Sequence, residues 1–532
     1  MAIKLHSAEV VGLDGKIIDV EIDLSPGLFS FSIVGLADKA VSEAKERIAA
    51  AIKSIGARSP QKKNQRVLIS LAPADLKKEG PVFDLAIALA YLLASKQASF
   101  KPKGKLFLGE LALDGTLRPI KGVLALAEAA QRAGFEELYV PKENAVEAAL
   151  VDGISVFGIS SLGDVVEHLE NNVAITPCPP TQFRARKEEI RIDMNDIKGQ
   201  ESAKRGLEIA AAGGHNALMI GPPGTGKTML ARAFASILPG LSKEEALEVT
   251  KIHSIAGAFF ETNQTLLTKR PFRNPHHTAS YVSLVGGGTF PRPGEITLAH
   301  RGVLFLDEFP EFDRKVIEAL RQPLEDKVVT VSRARATMRF PAQIMLITAM
   351  NPCPCGNLNS PKPCVCPTSS VDRYQRKISG PIIDRIDLWL GVYGIDHKKL
   401  DDPPDGEQAI YQESSTHIQK RVEKARAIQE KRFQLARHGN GGENSIRTNA
   451  EMGVRELKKF CALDHESRSV LQSAAARLDL SPRSYHRIIK LARTIADLAD
   501  ASSACPNTHV LGGAIQKEHI FEALQYRPAQ TQ

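Results

Sequence analysis

The segment Gly221-Pro-Pro-Gly-Thr-Gly-Lys-Thr228 constrains this chain more than any other. It fits G-x-x-x-x-G-K-Ser/Thr and lies directly between the apolar run Ala217–Ile220 and a helical pattern over Met229–Ile237. A strand that breaks into a glycine-rich turn and then a helix turns successive backbone N–H groups toward an anion. The helix N-terminus adds a favourable field. Gly221, Pro222, Pro223, Gly224, Thr225, Gly226, Lys227 and Thr228 are therefore expected to cradle ATP. Lys227 is expected to reach the β- and γ-phosphates, and the Thr228 hydroxyl to bind Mg²⁺. The alternative is a glycine-rich turn that binds nothing.

A phosphate loop needs acids to become a hydrolase. The run Val303-Leu-Phe-Leu ends in Asp307 and Glu308. Four apolar residues predict a buried strand, whose tip delivers Asp307 toward Mg²⁺ and Glu308 toward the attacking water. Read alone, the pair is equally a strand meeting solvent; read after a P-loop, it is the other half of the site. The strand Ile344–Thr348 leads to Asn351, expected to sense the γ-phosphate and hold the water, with a loop cap as the alternative. Arg385 precedes the apolar run Leu388–Val392. Supplied by a neighbouring subunit, it would neutralise charge on the transferred phosphoryl group, which requires a ring. A surface ion pair is the other reading. Arg483, Arg487 and Lys490 fall at i, i+4 and i+7 opposite Ile488, Ile489, Leu491 and Ile495. Arg483 is a second candidate phosphate sensor, against a plain solvated helix face.

Around this centre the chain divides. Residues 1–172 mix short β-like runs, such as Val67–Leu71 and Leu106–Leu108, with helical patterns over Asp84–Ser95 and Val123–Ala133. Residues 173–192 are Pro-rich, then charged, and read as a linker. Residues 193–395 alternate helix and strand, which predicts a parallel sheet flanked by helices. A polar linker spans 396–408, and 409–532 are helical, broken by the loop His438–Asn444. A length of 532 residues and 43% hydrophobic composition permit several cores. No run approaches the ~18 apolar residues that span a bilayer, and the first residues break into charge too early for a signal peptide. A cytoplasmic protein without membrane contact is expected. The net charge of +8 leans weakly toward a polyanionic partner.

Four of the seven cysteines lie close together as Cys353-Pro-Cys355 and Cys364-Val-Cys366. Four thiolates on a Pro/Gly-rich knuckle over 353–366 suit structural Zn²⁺, against unligated or redox-active thiols. The knuckle follows Asn351 directly, so metal loss is expected to disturb ATP sensing.

Asp196-Ile-Lys-Gly-Gln200, the P-loop, Arg270-Pro-Phe-Arg-Asn-Pro-His-His277, Val285–Gly288, Pro293–Ile296, Leu306–Phe309, Asn351–Gly356 and Ser379–Pro381 occur in that order. Together they resemble the ComM/YifB group of magnesium-chelatase-like AAA+ proteins, essentially from end to end. The resemblance implies an α/β fold: an AAA+ P-loop core with a parallel sheet and a C-terminal helical magnesium-chelatase-type lid over 409–532. It also implies a ring, expected to be a homo-hexamer, that uses ATP and Mg²⁺ to move on single-stranded, double-stranded or branched DNA. The implied activity is that of a helicase driving branch migration of recombination intermediates in natural transformation. A metal-chelatase motor, driving metal insertion into a tetrapyrrole, is the alternative.

Two insertions of such proteins find room here. One is the loop Leu284–Glu295, with Phe290 and Arg292 as candidate DNA contacts. The other is a predicted hairpin over Lys327–Arg339, with Arg333 and Arg335 at its tip. Subunit contact is the alternative for both. His276 and His277 are assigned a structural or interface role. The N-terminal domain is similar to the proteolytic domain of Lon-type proteases at Glu79–Pro81, Leu108–Ile120 and Val140–Asn144. Where that family has its nucleophilic serine this chain has Val82, and where it has its general-base lysine it has Leu124. Neither side chain can attack or accept a proton, so the fold is expected and the proteolysis is not.

Overall fold

The computed structural model describes residues 3–36, 38–62, 64–78, 80–181, 183, 192–258, 266–288, 292–333, 336–358, 360–394, 413–436, 446–502 and 513–527. The expected linker 396–408, the loop 438–444, Phe290 and Arg335 lie outside them. The chain forms two compact units.

The first unit comprises Met1–Arg184 together with Ser242–Thr268. Its four-stranded sheet has the order Ile3–Val11, Asp14–Pro26, Gln65–Ala72, Ser30–Val34, antiparallel except for the last pair. Along Gln65–Ala72 the side chains of Val67, Ile69 and Leu71 point inward while Leu68 is 45% exposed, the alternation of a one-sided sheet. A three-stranded parallel sheet follows, Lys105–Phe107, Glu137–Pro141 and Ser155–Ile159.

The helix Asp84–Ala94 is apolar on every face and buried from Asp84 to Leu92. Its one acid survives there because Arg47 grips it: Nε donates to Oδ2 at 2.9 Å and Nη2 to Oδ1 at 3.2 Å. Burial pushes the Asp84 carboxyl up to about 6 even against that guanidinium. Removing Arg47 would strand a buried carboxylate, at a cost of about 3–5 kcal/mol.

The sequence places Ser242–Thr268 within the stretch expected to be the ATPase core, yet it clusters with the first unit. The reason is local. The helix Lys243–Ala256, capped by Ser242 and Glu245, packs on Val123–Arg132. Lys251 bonds Glu128 at 2.9 Å, and the Gly122 N–H donates to the Ser254 carbonyl at 3.3 Å.

The second unit, Ala185–Leu241 with Lys269–Gln532, holds a five-stranded, all-parallel sheet. Its order is Phe272–Arg273, Val303–Leu306, Met345–Met350, Ala217–Ile220, Leu388–Gly391. Val303–Leu306 and Met345–Met350 are buried at every position, as strands covered on both faces must be. The C-terminal helices Ser415–Ala436, Val454–Phe460, His465–Arg477, Pro482–Ser502 and Lys517–Gln525 share one apolar core with this sheet. A buried polar knot fixes their arrangement. Arg432 donates to Asp497 at 2.9 Å and to Asn449 at 3.0 Å, and Asn449 donates to Asp497 at 2.8 Å. His215 then bridges Thr494 at 2.9 Å and Asp387 at 3.2 Å, joining the helices to the sheet.

Both expected insertions form antiparallel pairs: Gly286–Gly287 with Arg292–Pro293, and Val328–Arg333 with Ala336–Pro341. Arg292 is exposed, and Arg333 faces Ala336 at the closed end of its hairpin. Among the described residues no helix is long and apolar enough to cross a membrane.

Candidate nucleotide site

The P-loop leaves the strand Ala217–Ile220 and enters the helix Lys227–Ser236. Its glycines serve two purposes. A Cβ on Gly221 would lie 1.9 Å from the Val392 carbonyl oxygen, so only glycine lets the loop pass the neighbouring strand. Gly224 and Gly226 have open space around them but φ of +78° and +88°, the left-handed region that the tight turn requires.

Parallel register brings the remaining parts together. Ile220 pairs with Met350, so Asn351 emerges beside Gly221. Leu306 pairs with Thr348, which delivers Asp307 to the same edge. The Lys227 ammonium is buried and donates to the carbonyls of Gly221 and Pro222, at 2.7 and 2.8 Å, and to Asn351 Oδ1 at 3.2 Å. Burial lowers its pKa, while Asp307 and Glu308 pull the other way. Three acceptors match its three N–H donors, so the lysine is fully satisfied until phosphate oxygens replace them.

The Thr228 hydroxyl donates to Asp307 Oδ2 at 2.7 Å, and the Glu308 N–H donates to Asp307 Oδ1 at 3.0 Å. This hydroxyl–carboxylate pair is a hard oxygen donor set that suits Mg²⁺. Glu308 itself sits at φ +51°, an uncommon backbone for a non-glycine residue, and it turns the chain into the short helix Phe309–Glu311. Strain of this kind gathers where a side chain must be aimed.

His277, given only a structural or interface role from the sequence, touches the second acid. Its Nδ1 lies 3.0 Å from Glu308 Oε2, and its ring packs on His276 at 4.1 Å and edge-on to Phe312 at 6.5 Å. The structural role expected of the histidine pair therefore includes holding the second acid. The signal was present in the register. Phe272 pairs with Val303, and His277 and Glu308 each lie five residues further along their chains.

The two arginines are gathered elsewhere. Arg385 Nη2 is ion-paired with Glu325, and its Nη1 donates to the Pro381 carbonyl at 2.5 Å. Arg483 Nη2 lies 3.9 Å from the other oxygen of Glu325 and is 65% exposed. Among the described residues neither bonds the P-loop or its acids. The rest of the expected basic stripe is not a solvated face: Arg487 is buried and bonds the Asp384 carbonyl, and Lys490 donates to the Ala450 carbonyl at 2.9 Å.

The sulfur atoms of Cys353, Cys355, Cys364 and Cys366 all lie within 4.8 Å of one another. Cys353 is 3.4 Å from Cys355 and 3.6 Å from Cys364, far beyond a disulfide bond and near the ~3.8 Å edge of a tetrahedral zinc–thiolate site. Backbone N–H groups of Asn357 and Val365 pull the Cys355 thiol down to about 6.

A P-loop with two acids at the tip of a parallel strand one removed from its own, and Asn351 at the tip of the strand between them, defines a nucleotide-dependent protein of the AAA+ type. Comparison with known families narrows this. Residues 193–400 match the family described as magnesium chelatase, subunit ChlI; residues 20–144 match subunit ChlI of Mg-chelatase; residues 412–527 match its C-terminal part. An uncharacterized protein named YifB from Salmonella typhimurium is 41% identical over 527 residues, covering 98% of this chain and 96% of that protein. The competence protein ComM of Haemophilus influenzae is 39% identical over 531 residues, covering 98% and 97%. Lon protease of Mycolicibacterium smegmatis is 26% identical over 167 residues, 30% of this chain and 21% of that protein. The chain belongs to the ComM/YifB family of magnesium-chelatase-like AAA+ proteins. The family implies ATP and Mg²⁺ as ligands.

Proposed function

We propose that this protein is an ATP-driven DNA translocase that promotes branch migration of recombination intermediates during natural transformation. The observation that carries the ATPase half is the joined site: Lys227 bonded to Asn351, Thr228 bonded to Asp307, and Glu308 beside them. In this reading residues 221–228 hold ATP, and Thr228 and Asp307 hold Mg²⁺, which screens phosphate charge. Glu308 orients and polarises the attacking water, and Asn351 reads the γ-phosphate. Arg385 acts on the site of a neighbouring subunit in a homo-hexameric ring, and Arg483 is a second sensor. Arg385 pairs with Glu325 rather than with the P-loop of its own chain, which leaves a trans role open to it beside the plain ion-pair reading.

The DNA half rests on the two antiparallel insertions and on the relative named as a competence protein. Phe290, Arg292, Arg333 and Arg335 are the proposed contacts, and the protein is proposed to work in the cytoplasm. The four cysteines are read as a structural Zn²⁺ site. A chelatase motor is the second reading, favoured by the three family matches themselves.

ATP turnover measured alone, with four-way junction DNA, and with a chelatase partner plus tetrapyrrole separates the two. Stimulation by the junction is expected. Stimulation by the chelatase partner and not by DNA would overturn the DNA reading.

A further inference from the structure

The four-cysteine knuckle has no apolar core of its own. Among the described residues between Cys353 and Cys366 only Cys353 and Gly356 are buried, and Val365 is 81% exposed. What gathers this segment is the sulfur cluster. The knuckle also rests on the nucleotide loop. Gly356 has φ +80°, and a Cβ there would meet Pro223 Cδ at 2.5 Å, so the knuckle backbone is in direct contact with the second proline of the P-loop.

The other end of the same segment is Asn351, whose Oδ1 accepts from Lys227. On its other side Gln375 Nε2, at the end of the helix Thr368–Gln375, donates to the Pro352 carbonyl at 3.5 Å. Only Pro352 separates Asn351 from the first cysteine. The P-loop is thus touched twice by one short segment, through Lys227 and through Pro223.

We propose that a single zinc ion held by Cys353, Cys355, Cys364 and Cys366 sets the position of Asn351 and of the Pro223 face of the P-loop, making nucleotide binding depend on the metal. The inference rests on the zinc reading given above. Without the ion, four thiols held only by weak sulfur–sulfur contacts and backbone N–H groups would not keep Gly356 against Pro223. The segment would then lose one side of the P-loop and the acceptor opposite Lys227.

The test uses the full chain purified under reducing conditions. Zinc is measured by elemental analysis, and binding of a fluorescent ADP analogue is followed before chelation, after chelation, and after zinc is restored. One zinc per chain is expected, with affinity falling about tenfold on removal, the worth of one strong polar contact, and returning with the metal. Gly356→Ala keeps all four thiols and is expected to retain zinc while binding nucleotide more weakly. Circular dichroism confirms that each sample is folded. A chain with four free thiols and no zinc would sink the metal reading itself. One zinc per chain whose removal leaves nucleotide affinity unchanged would leave that reading standing and overturn the coupling.

Discussion

The two units resemble two kinds of enzyme, and we propose that only one of them keeps reacting groups. In the first unit, the position of the protease nucleophile is Val82, packed between both apolar cores, and the position of its base is Leu124, fully buried. The acid two residues beyond Val82 is spent on structure, Asp84 being closed off by Arg47. In the second unit the polar groups stand at strand ends. Lys227 is bonded to Asn351 and Thr228 to Asp307, and Glu308 remains 56% exposed. A fold can stand with apolar side chains at positions where its relatives carry reacting groups, because packing alone holds it. A site persists only while desolvated polar groups keep partners that a ligand can displace.

This contrast can be broken at either unit. The largest effect is expected from Lys227→Ala, which removes the ammonium at the centre of the site; ATP turnover should fall by at least about 10³-fold, with nucleotide binding lost in a fluorescence titration. Arg385→Ala should lower turnover by about 10³-fold while nucleotide still binds. Mixing it with Glu308→Gln subunits should restore part of the rate, and no recovery in mixed rings would contradict a shared site. Glu308→Gln should itself bind ATP normally and hydrolyse it about 10²-fold more slowly. His277→Ala frees Glu308 from a partly exposed imidazole contact; a drop in kcat of no more than about fivefold, with KM unchanged, is expected. Val82→Ser should do least: peptide hydrolysis stays at background and ATP turnover does not change, because Leu124 still offers no base. Peptidase activity in that variant would erase the contrast.

Much of the phosphate site was legible in the sequence, because each part announces itself locally. Val303–Leu306 is apolar at every position, as a strand covered on both faces must be, and the acids follow at its tip. The P-loop glycines are likewise forced by the backbone at their own positions. What was not legible depends on contacts far apart in the chain. Sheet order puts His277 against Glu308, and Glu325 gathers Arg385 and Arg483 from different elements. The helix Lys243–Ala256 carries an ordinary capped pattern, and only its packing on Val123–Arg132 assigns it to the first unit. Gly356 reads as a turn residue until Pro223 is found beneath it.

The central claim is that hydrolysis at Lys227, Asp307 and Glu308 drives movement on branched DNA. It is tested most directly by following a labelled four-way junction with the wild-type chain and with Glu308→Gln. The account predicts ATP-dependent conversion of the junction to duplex products by the wild type, and a bound but unconverted junction with the variant. Conversion at equal rates by both, or by the wild type without ATP, would contradict it.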